Sequence, residues 1–304
     1  MGNLGDEALR EYFLRAFPGE EWHVVSARPS AGELPRLPLG FRSLLQPWWR
    51  TLAALRAADG VLFGGGTLFT DLESPFACVL WWWHSVVTRL FGKPLFLAFQ
   101  GVGPFRTRVG EWCARWTLRH AVFVSVRDAA SSSRVESWVL NTKIIQTSDP
   151  IIWLAAQEKV DVSSQNMLVI IPRHNSDAAF EGRAMDLFRS RAWSAVKILS
   201  LSPKQGGEQE LCLRLRDRMG AETSVIPVRS LGVLLRELAG ADLVLAQRYH
   251  GALAARALGK NLEVVPQGVG DKLSGLASTA VGDLLSRARA GEAALRETLQ
   301  RLRG

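Results

Sequence analysis

A chain of 304 residues is too long for one small core and predicts two domains. With 47% apolar and 22% charged residues it has the composition of a globular protein, which excludes disorder as the default. A net charge of +8 suits an anionic ligand or surface. Its Lys and Arg residues are spread along helices with no compact basic arm, so nucleic acid is not an expected partner.

The N-terminus, Met-Gly-Asn-Leu-Gly-Asp-Glu, is neither apolar nor basic and does not read as a signal peptide. Asp6 and Glu7 open a helix to about Phe17, where Pro18-Gly19 stops it. Trp22–Ser26 reads as a strand containing His23, and 28–40, with Pro29, Pro35 and Pro38, as a loop. A helix follows over about 47–58. A short strand then runs into Gly64-Gly65-Gly66. Next come a helix over 75–91, a strand 95–99, a turn 100–104, a helix 108–119 and a strand 122–126. A helix 129–138 and a strand 142–147 lead to Ser148-Asp149-Pro150. The greasiest window, 15 residues between Glu73 and Arg89, contains Pro75 and His84 and is too short to span a bilayer.

Polar residues 155–166 read as a linker, after which the rhythm restarts. Strands fall at 167–171, 196–201, 223–228, 241–246 and 261–265. Helices fall at 177–191, 206–219, 230–240, 251–258 and 282–302. Alternating short apolar strands and helices are the signature of parallel, doubly wound sheets. The expected fold is therefore α/β, with two Rossmann-like domains facing each other across a cleft. The boundaries are 1–154 and 167–280, with a C-terminal helix over 281–304.

Three cysteines (Cys78, Cys113, Cys212) lie far apart without a CxxC pair, which predicts neither disulfides nor a zinc site and fits a reducing cytoplasm. Eleven tryptophans are many; the clusters Trp48-Trp49 and Trp81-Trp82-Trp83 are expected to pack between helices and sheet, the alternative being an interfacial belt on a membrane. His84 and His120, in apolar stretches, and His23 read as packing residues, and no two histidines have metal-ligand spacing. No metal is predicted.

Chemistry concentrates at strand ends. Arg248 and His250 lie in the turn between the strand 241–246 and the helix that follows, where open α/β sheets bind ligands and helix starts favour anions. Arg173 follows the end of another strand in the same half. Two guanidiniums there suit a ligand carrying both carboxylate and phosphate. In the first half, Gly64, Gly65 and Gly66, the turn Gln100-Gly101-Val102-Gly103 and the loop Gly2-Asn3-Leu4-Gly5-Asp6 are three glycine turns expected to meet at one sheet edge, exposing N–H groups to an anion. Asp71, just beyond, is a candidate hydrogen-bond acceptor or base, or an exposed helix cap.

In order and spacing, Gly-Asn-Leu-Gly-Asp-Glu-Ala at 2–8, Phe-Gly-Gly-Gly-Thr-Leu-Phe-Thr-Asp at 63–71, Gln-Gly-Val-Gly-Pro at 100–104, Ser-Val-Arg-Asp at 125–128, Asp149-Pro150, Arg173 and Arg248-Tyr249-His250-Gly251 resemble the polysaccharide pyruvyl transferase family over nearly the whole chain. Lys272 resembles that family's late lysine. The resemblance implies a GT-B-like architecture, with an acceptor-side first domain and a donor-side second one. It also implies transfer of the enolpyruvyl unit of phosphoenolpyruvate onto a glycan as a pyruvate ketal, releasing phosphate. Phosphoenolpyruvate is then the donor substrate, with no cofactor. The implied catalytic residues are His250, Arg248 and Asp71. The implied substrate-binding residues are Arg173, Lys272, Asn3, Asp6, Gly64, Gly65, Gly66, Gln100, Gly101 and Gly251.

The family has a strand before its Gly-Asn-Leu-Gly-Asp loop, whereas Met1 here falls inside the motif. Either the start lies upstream or the first domain lacks its opening strand, which would expose a neighbour's edge. The expected partner is a cell-surface glycan or its lipid-linked oligosaccharide precursor. The expected location is cytoplasmic, with peripheral contact to an anionic inner-membrane face through Arg287, Arg289, Arg296, Arg301 and Arg303 set against a merely solvated basic helix. The alternatives are a nucleotide-sugar glycosyltransferase on the same fold and a catalytically silent glycan-binding relative.

Overall fold

The protein is seen in a computed structural model that describes residues 4–302 except 73, 75, 139–141, 162, 164, 203–205, 221 and 269–270, with no side-chain placement at 41, 42 and 206. The chain forms two compact units. One comprises Leu9–Asp149 with Arg287–Gly304, the other Gly2–Ala8 with Pro150–Ser286. This division departs from the sequence-based boundaries at both ends. The start of the first helix groups with the second unit, and most of the closing helix with the first.

The chain begins with α1 (Leu4–Ala16), whose first turn carries Asp6 and Glu7 at the positive end of the helix. Strands β1 (Val25–Ser26) and β2 (Leu34–Pro35) form a separate parallel pair. The strand expected over 22–26 is thus shorter, and His23 precedes it on the surface. Then come α2 (Phe41–Leu44), α3 (Trp49–Ala57), β3 (Val61–Gly64), α4 (Ala77–Leu90), β4 (Leu95–Gln100), α5 (Arg108–Arg119), β5 (Phe123–Val126), α6 (Ala129–Glu136) and β6 (Ile144–Gln146). The parallel sheet has the order β3-β4-β5-β6, so β3 is its edge among the described residues. Every residue of β4 is buried, as its unbroken apolar run predicts for an inner parallel strand. Helices α5 and α6 begin where they do because Thr107 and Asp128 cap them, accepting hydrogen bonds from the N–H groups of Gly110 and Ser131.

Three consecutive tryptophans on α4 point three ways, as 100° steps require. Trp81 packs on the sheet against Phe63, Trp82 on Trp112 and Trp116 of α5, and Trp83 toward Leu52 and Leu55 of α3. His84 beside them is buried. Its Nε2 accepts the N–H of Leu37 at 3.0 Å, and its Nδ1 lies 2.8 Å from the Leu80 carbonyl. Desolvation pushes its pKa down to about 4, helped by Arg36 and opposed by the Leu80 contact. All three cysteines are buried free thiols, and burial pushes Cys78 and Cys212 up to about 12.

The second unit contains α7 (Ile151–Gln157), β7 (Met167–Ile171), α8 (Ala178–Arg189), β8 (Ala195–Ser200), α9 (Gly206–Met219), β9 (Thr223–Pro227), α10 (Leu231–Ala239), β10 (Ala241–Ala246), α11 (Tyr249–Ala257), β11 (Asn261–Val264) and α12 (Lys272–Ser278). Helix α7 occupies the start of the expected linker; it buries Ile151, Ile152, Leu154 and Ala155 and packs on α11. The five strands are parallel in the order β11-β10-β7-β8-β9. The chain moves outward from β7 to β8 and β9, then crosses back to β10 on the other side. This reversal between β7 and β10 opens a crevice at their carboxyl ends.

Helix α13 (Val281–Arg301) returns to the first unit. Gly291 makes the approach close, since a Cβ there would lie 2.5 Å from Thr147 and 2.8 Å from Phe99. The Tyr12 hydroxyl donates to Glu292 at 3.0 Å, and Arg296 donates to the Ala16 carbonyl at 2.7 Å.

Candidate active site

The second unit gathers its chemistry at the switch point. Strands β10 and β7 pair with Ala246 opposite Ile171, and the Gln247 N–H continues the ladder to the Ile171 carbonyl. Arg173 and Arg248 each stand two residues beyond that last registered pair. Neighbouring strands lie about 4.8 Å apart, so the two arginines leave the sheet side by side.

What holds them differs. Arg248 donates through Nε (2.9 Å) and Nη2 to one oxygen of Glu208, whose side chain is fully buried in the first turn of α9. The other Glu208 oxygen accepts the Ser202 N–H at 2.7 Å and the Ser200 hydroxyl at 3.1 Å. A buried carboxylate with this many donors fixes the guanidinium plane and leaves Nη1 outside the pair. Arg173 is half-buried and donates through Nη1 to the neutral Gln267 side chain at 2.8 Å. Ser176 and Gln247 knit the loop together, with the Ser176 hydroxyl donating to Gln247 and the Gln247 amide donating to the Val265 carbonyl at 3.2 Å. Glu208, Ser176, Gln247 and Gln267 were not singled out in the sequence. Gly206-Gly207 before Glu208, at a strand-to-helix turn, was the available signal.

His250 is half-buried in the first turn of α11, its ring edge-on to Tyr249 with centroids 5.5 Å apart. Lys272, the first residue of α12, holds its Nζ 5.1 Å from the Tyr249 ring centroid. Gly5 lies directly on the imidazole, since a Cβ there would be 2.1 Å from Cε1 and 2.2 Å from Nδ1. Gly5, from the expected glycine loop, thus packs on the histidine of its own unit. Asp6 is exposed, and Asn3 lies outside the described residues. Gly251 is a packing residue, because a Cβ would meet Ile171 at 2.8 Å and push α11 off β7.

The first unit's predicted site residues are engaged by contacts within their own unit. Cβ atoms at Gly64 and Gly65 would strike Phe13 at 2.4 Å and Leu9 at 2.6 Å, so these glycines let a helix lie on the strand end, and the Gly65 N–H donates to the Ala98 carbonyl at 2.7 Å. Gly65 and Gly66 have φ of 73° and 77°, and the Gly101 N–H donates to the Gly66 carbonyl at 2.7 Å, joining the two turns. Gln100 is buried and donates to the Phe63 carbonyl at 2.6 Å, tying β4 to β3. Asp71 corrects the sequence expectation most. It is neither an exposed cap nor an open base. Its oxygens accept the N–H groups of Arg106 (2.6 Å) and Thr107 (2.8 Å) and the Thr107 hydroxyl (2.6 Å). Burial works to raise its pKa, but these donors outweigh it and hold the carboxyl below its usual range. A low-pKa carboxylate already engaged on both oxygens is a poor base. Elsewhere in the same unit, Arg127 forms a buried ion pair with Asp149 and donates to the Thr67 hydroxyl at 2.9 Å.

Among the described residues no group of three or more His, Cys, Asp or Glu side chains could hold a metal ion. The cations at the second sheet's edge are Arg173, Arg248 and Lys272, an arrangement suited to an anion with more than one negative group.

Two parallel-sheet, Rossmann-like units make this a protein of the GT-B glycosyltransferase fold class. Solved structures agree on the fold. HepE (Alr3699) of Anabaena in complex with UDP-glucose is similar at a TM-score of 0.60 and 12% identity, covering 99% of this chain and 89% of that one. S. aureus MnaA with UDP gives 0.59 and 14%, covering 99% and 87%. A glycosyltransferase of Rickettsia africae ESF-5 gives 0.55 and 9%, covering 98% and 93%. Among curated proteins none matches in sequence. The family profile described as polysaccharide pyruvyl transferase matches residues 3–262, so the chain belongs to the polysaccharide pyruvyl transferase family.

Proposed function

We propose that this transferase moves the pyruvyl unit of phosphoenolpyruvate onto two hydroxyls of a cell-surface glycan or its lipid-linked precursor, as a cyclic ketal. The observation that carries this reading is the register of Arg173 and Arg248, two cations leaving adjacent strand ends beside His250. The donor bears a carboxylate and a phosphate, and one guanidinium for each is the matching recognition. Lys272 adds charge on the same edge.

The reaction needs a proton on the methylene carbon of the donor, so that C2 gains oxocarbenium character and takes a sugar oxygen. Loss of phosphate then restores that character and the second oxygen closes the ketal. Of the two hydroxyl protons, one balances the new methyl group and the other leaves with phosphate. His250 is the proposed proton donor, placed by Gly5 and Tyr249. Glu208 is the proposed positioning residue for Arg248. Asp71 has no part in this scheme, because its oxygens are already engaged.

The test is phosphate release from phosphoenolpyruvate in the presence and absence of a glycan acceptor. Acceptor-dependent release that His250→Gln abolishes supports the proposal; full turnover by that variant removes the proton donor. A second reading, nucleotide-sugar glycosyl transfer, is favoured by the fold neighbours crystallised with UDP or UDP-glucose. Tight UDP binding with no response to phosphoenolpyruvate would select it.

A further inference from the structure

Helices α3, α4 and α5 lie side by side on the first sheet, α3 packing on α4 through Leu52 and Leu55, and α4 on α5 through Trp82. Each precedes a strand of one parallel sheet, so all three begin at its carboxyl edge. At that edge the apolar side chains turn outward. Leu45 (89% exposed) and Trp49 (60%) mark the start of α3, Leu72 and Phe76 (68%) that of α4, and Val109 (60%) and Trp112 (54%) that of α5. These six are half of the twelve large hydrophobic side chains exposed among the described residues. Single exposed hydrophobics are ordinary; their concentration on one rim is not.

The charge around them has one dominant sign. Among the described residues the three starts carry the exposed Arg50, Arg106 and Arg108 against Glu111, besides the buried Asp71. Along α5, Arg108, Trp112, Arg115 and Arg119 recur at i, i+4, i+7 and i+11 and are all exposed, while Cys113, Ala114, Thr117 and Leu118 form the buried face. The arginines of α13, by contrast, include Arg296 and Arg301 paired with Glu292 and Glu297 on the same helix.

We infer that this rim is a docking surface for an anionic lipid bilayer. A bilayer takes Trp, Phe and Leu at its interface without a matching side-chain shape, and its negative headgroups attract the arginines. The inference is independent of the proposed reaction, because its test reads binding and not turnover. The test is co-sedimentation with vesicles of phosphatidylcholine alone and of equal parts phosphatidylcholine and phosphatidylglycerol, at low and high salt. The expected result is binding to the mixed vesicles only, released by salt. Trp112→Glu with Phe76→Glu should weaken it roughly tenfold or more, and Arg106→Glu with Arg108→Glu by a similar factor. Leu45→Ser, in an exposed turn, repeats the test with little risk to folding, and circular dichroism confirms that each variant is folded. Absence of binding to either vesicle, or binding unchanged in all three folded variants, overturns the inference. So does sedimentation as a dimer that Trp112→Glu turns into monomer, which would make the rim a contact between copies.

Discussion

The two sheets end in polar side chains of similar type that are used in opposite ways. At the carboxyl edge of the first sheet the charges are closed on themselves, with Arg127 paired to the buried Asp149 and Asp71 holding the entry to α5. At the edge of the second, Arg248 meets one carboxylate through two of its nitrogens, Arg173 meets a neutral amide, and Lys272 lies near an aromatic ring. A site for a doubly charged anion needs more than one cation on the same edge. Each edge holds one arginine against a buried carboxylate, Arg127 on Asp149 and Arg248 on Glu208, and the second edge adds Arg173 and Lys272 beside it. Residue type at a strand end is therefore not enough to mark a site; the partners of each charge decide it.

The contrast can be broken most severely at Arg127. Arg127→Met leaves Asp149 charged and buried, and should cost about 3–5 kcal/mol in denaturant unfolding. Adding Asp149→Leu should recover much of that loss; no recovery would mean that the pair is not what closes this edge.

The interior of the first unit should also show in acid. An unfolded His84 titrates near 6.5 and the folded one at about 4, so between these values the unfolded state binds the proton first. His84 then contributes stability in full above pH 6.5 and loses it as pH falls toward 4, on the order of 3 kcal/mol. Thermal unfolding across that range should fall more steeply for the parent protein than for His84→Gln; parallel curves would refute the assignment.

At the second edge the sign of the experiment reverses. Arg173→Ala should lower kcat/KM for acceptor-dependent phosphate release roughly a hundredfold, about 2.7 kcal/mol. Its stability should stay within about 0.5 kcal/mol of the parent, since the side chain is only half-buried. An equal loss of stability would make Arg173 structural, like Arg127.

The smallest effect is expected at Asp71. Asp71→Asn keeps the shape but weakens the hold on Arg106 and Thr107, a cost of about 1–3 kcal/mol. Turnover per folded molecule should persist. Lost turnover with unchanged stability would restore Asp71 as a base and erase the contrast between the two edges.

Most of the fold was legible because strands such as β7, β10 and β4 are short apolar runs bounded by turns, and parallel strands buried on both faces read that way. The exceptions have local reasons. The two-residue strand β2 ends in proline and has no period to detect, and α7 is seven residues lying where polarity suggested a linker. By itself the sequence also placed Arg173 and Arg248 just beyond apolar runs that form strands, and His250 at the start of the following helix. Only the tertiary structure decided what those charges face. That Gly5 rests on His250, that Glu208 from another helix clamps Arg248, and that Asp71 is tied to a loop some 35 residues away along the chain are contacts between segments distant in sequence. Electrostatic effect depends on distance and burial, and neither has a local signature in the chain.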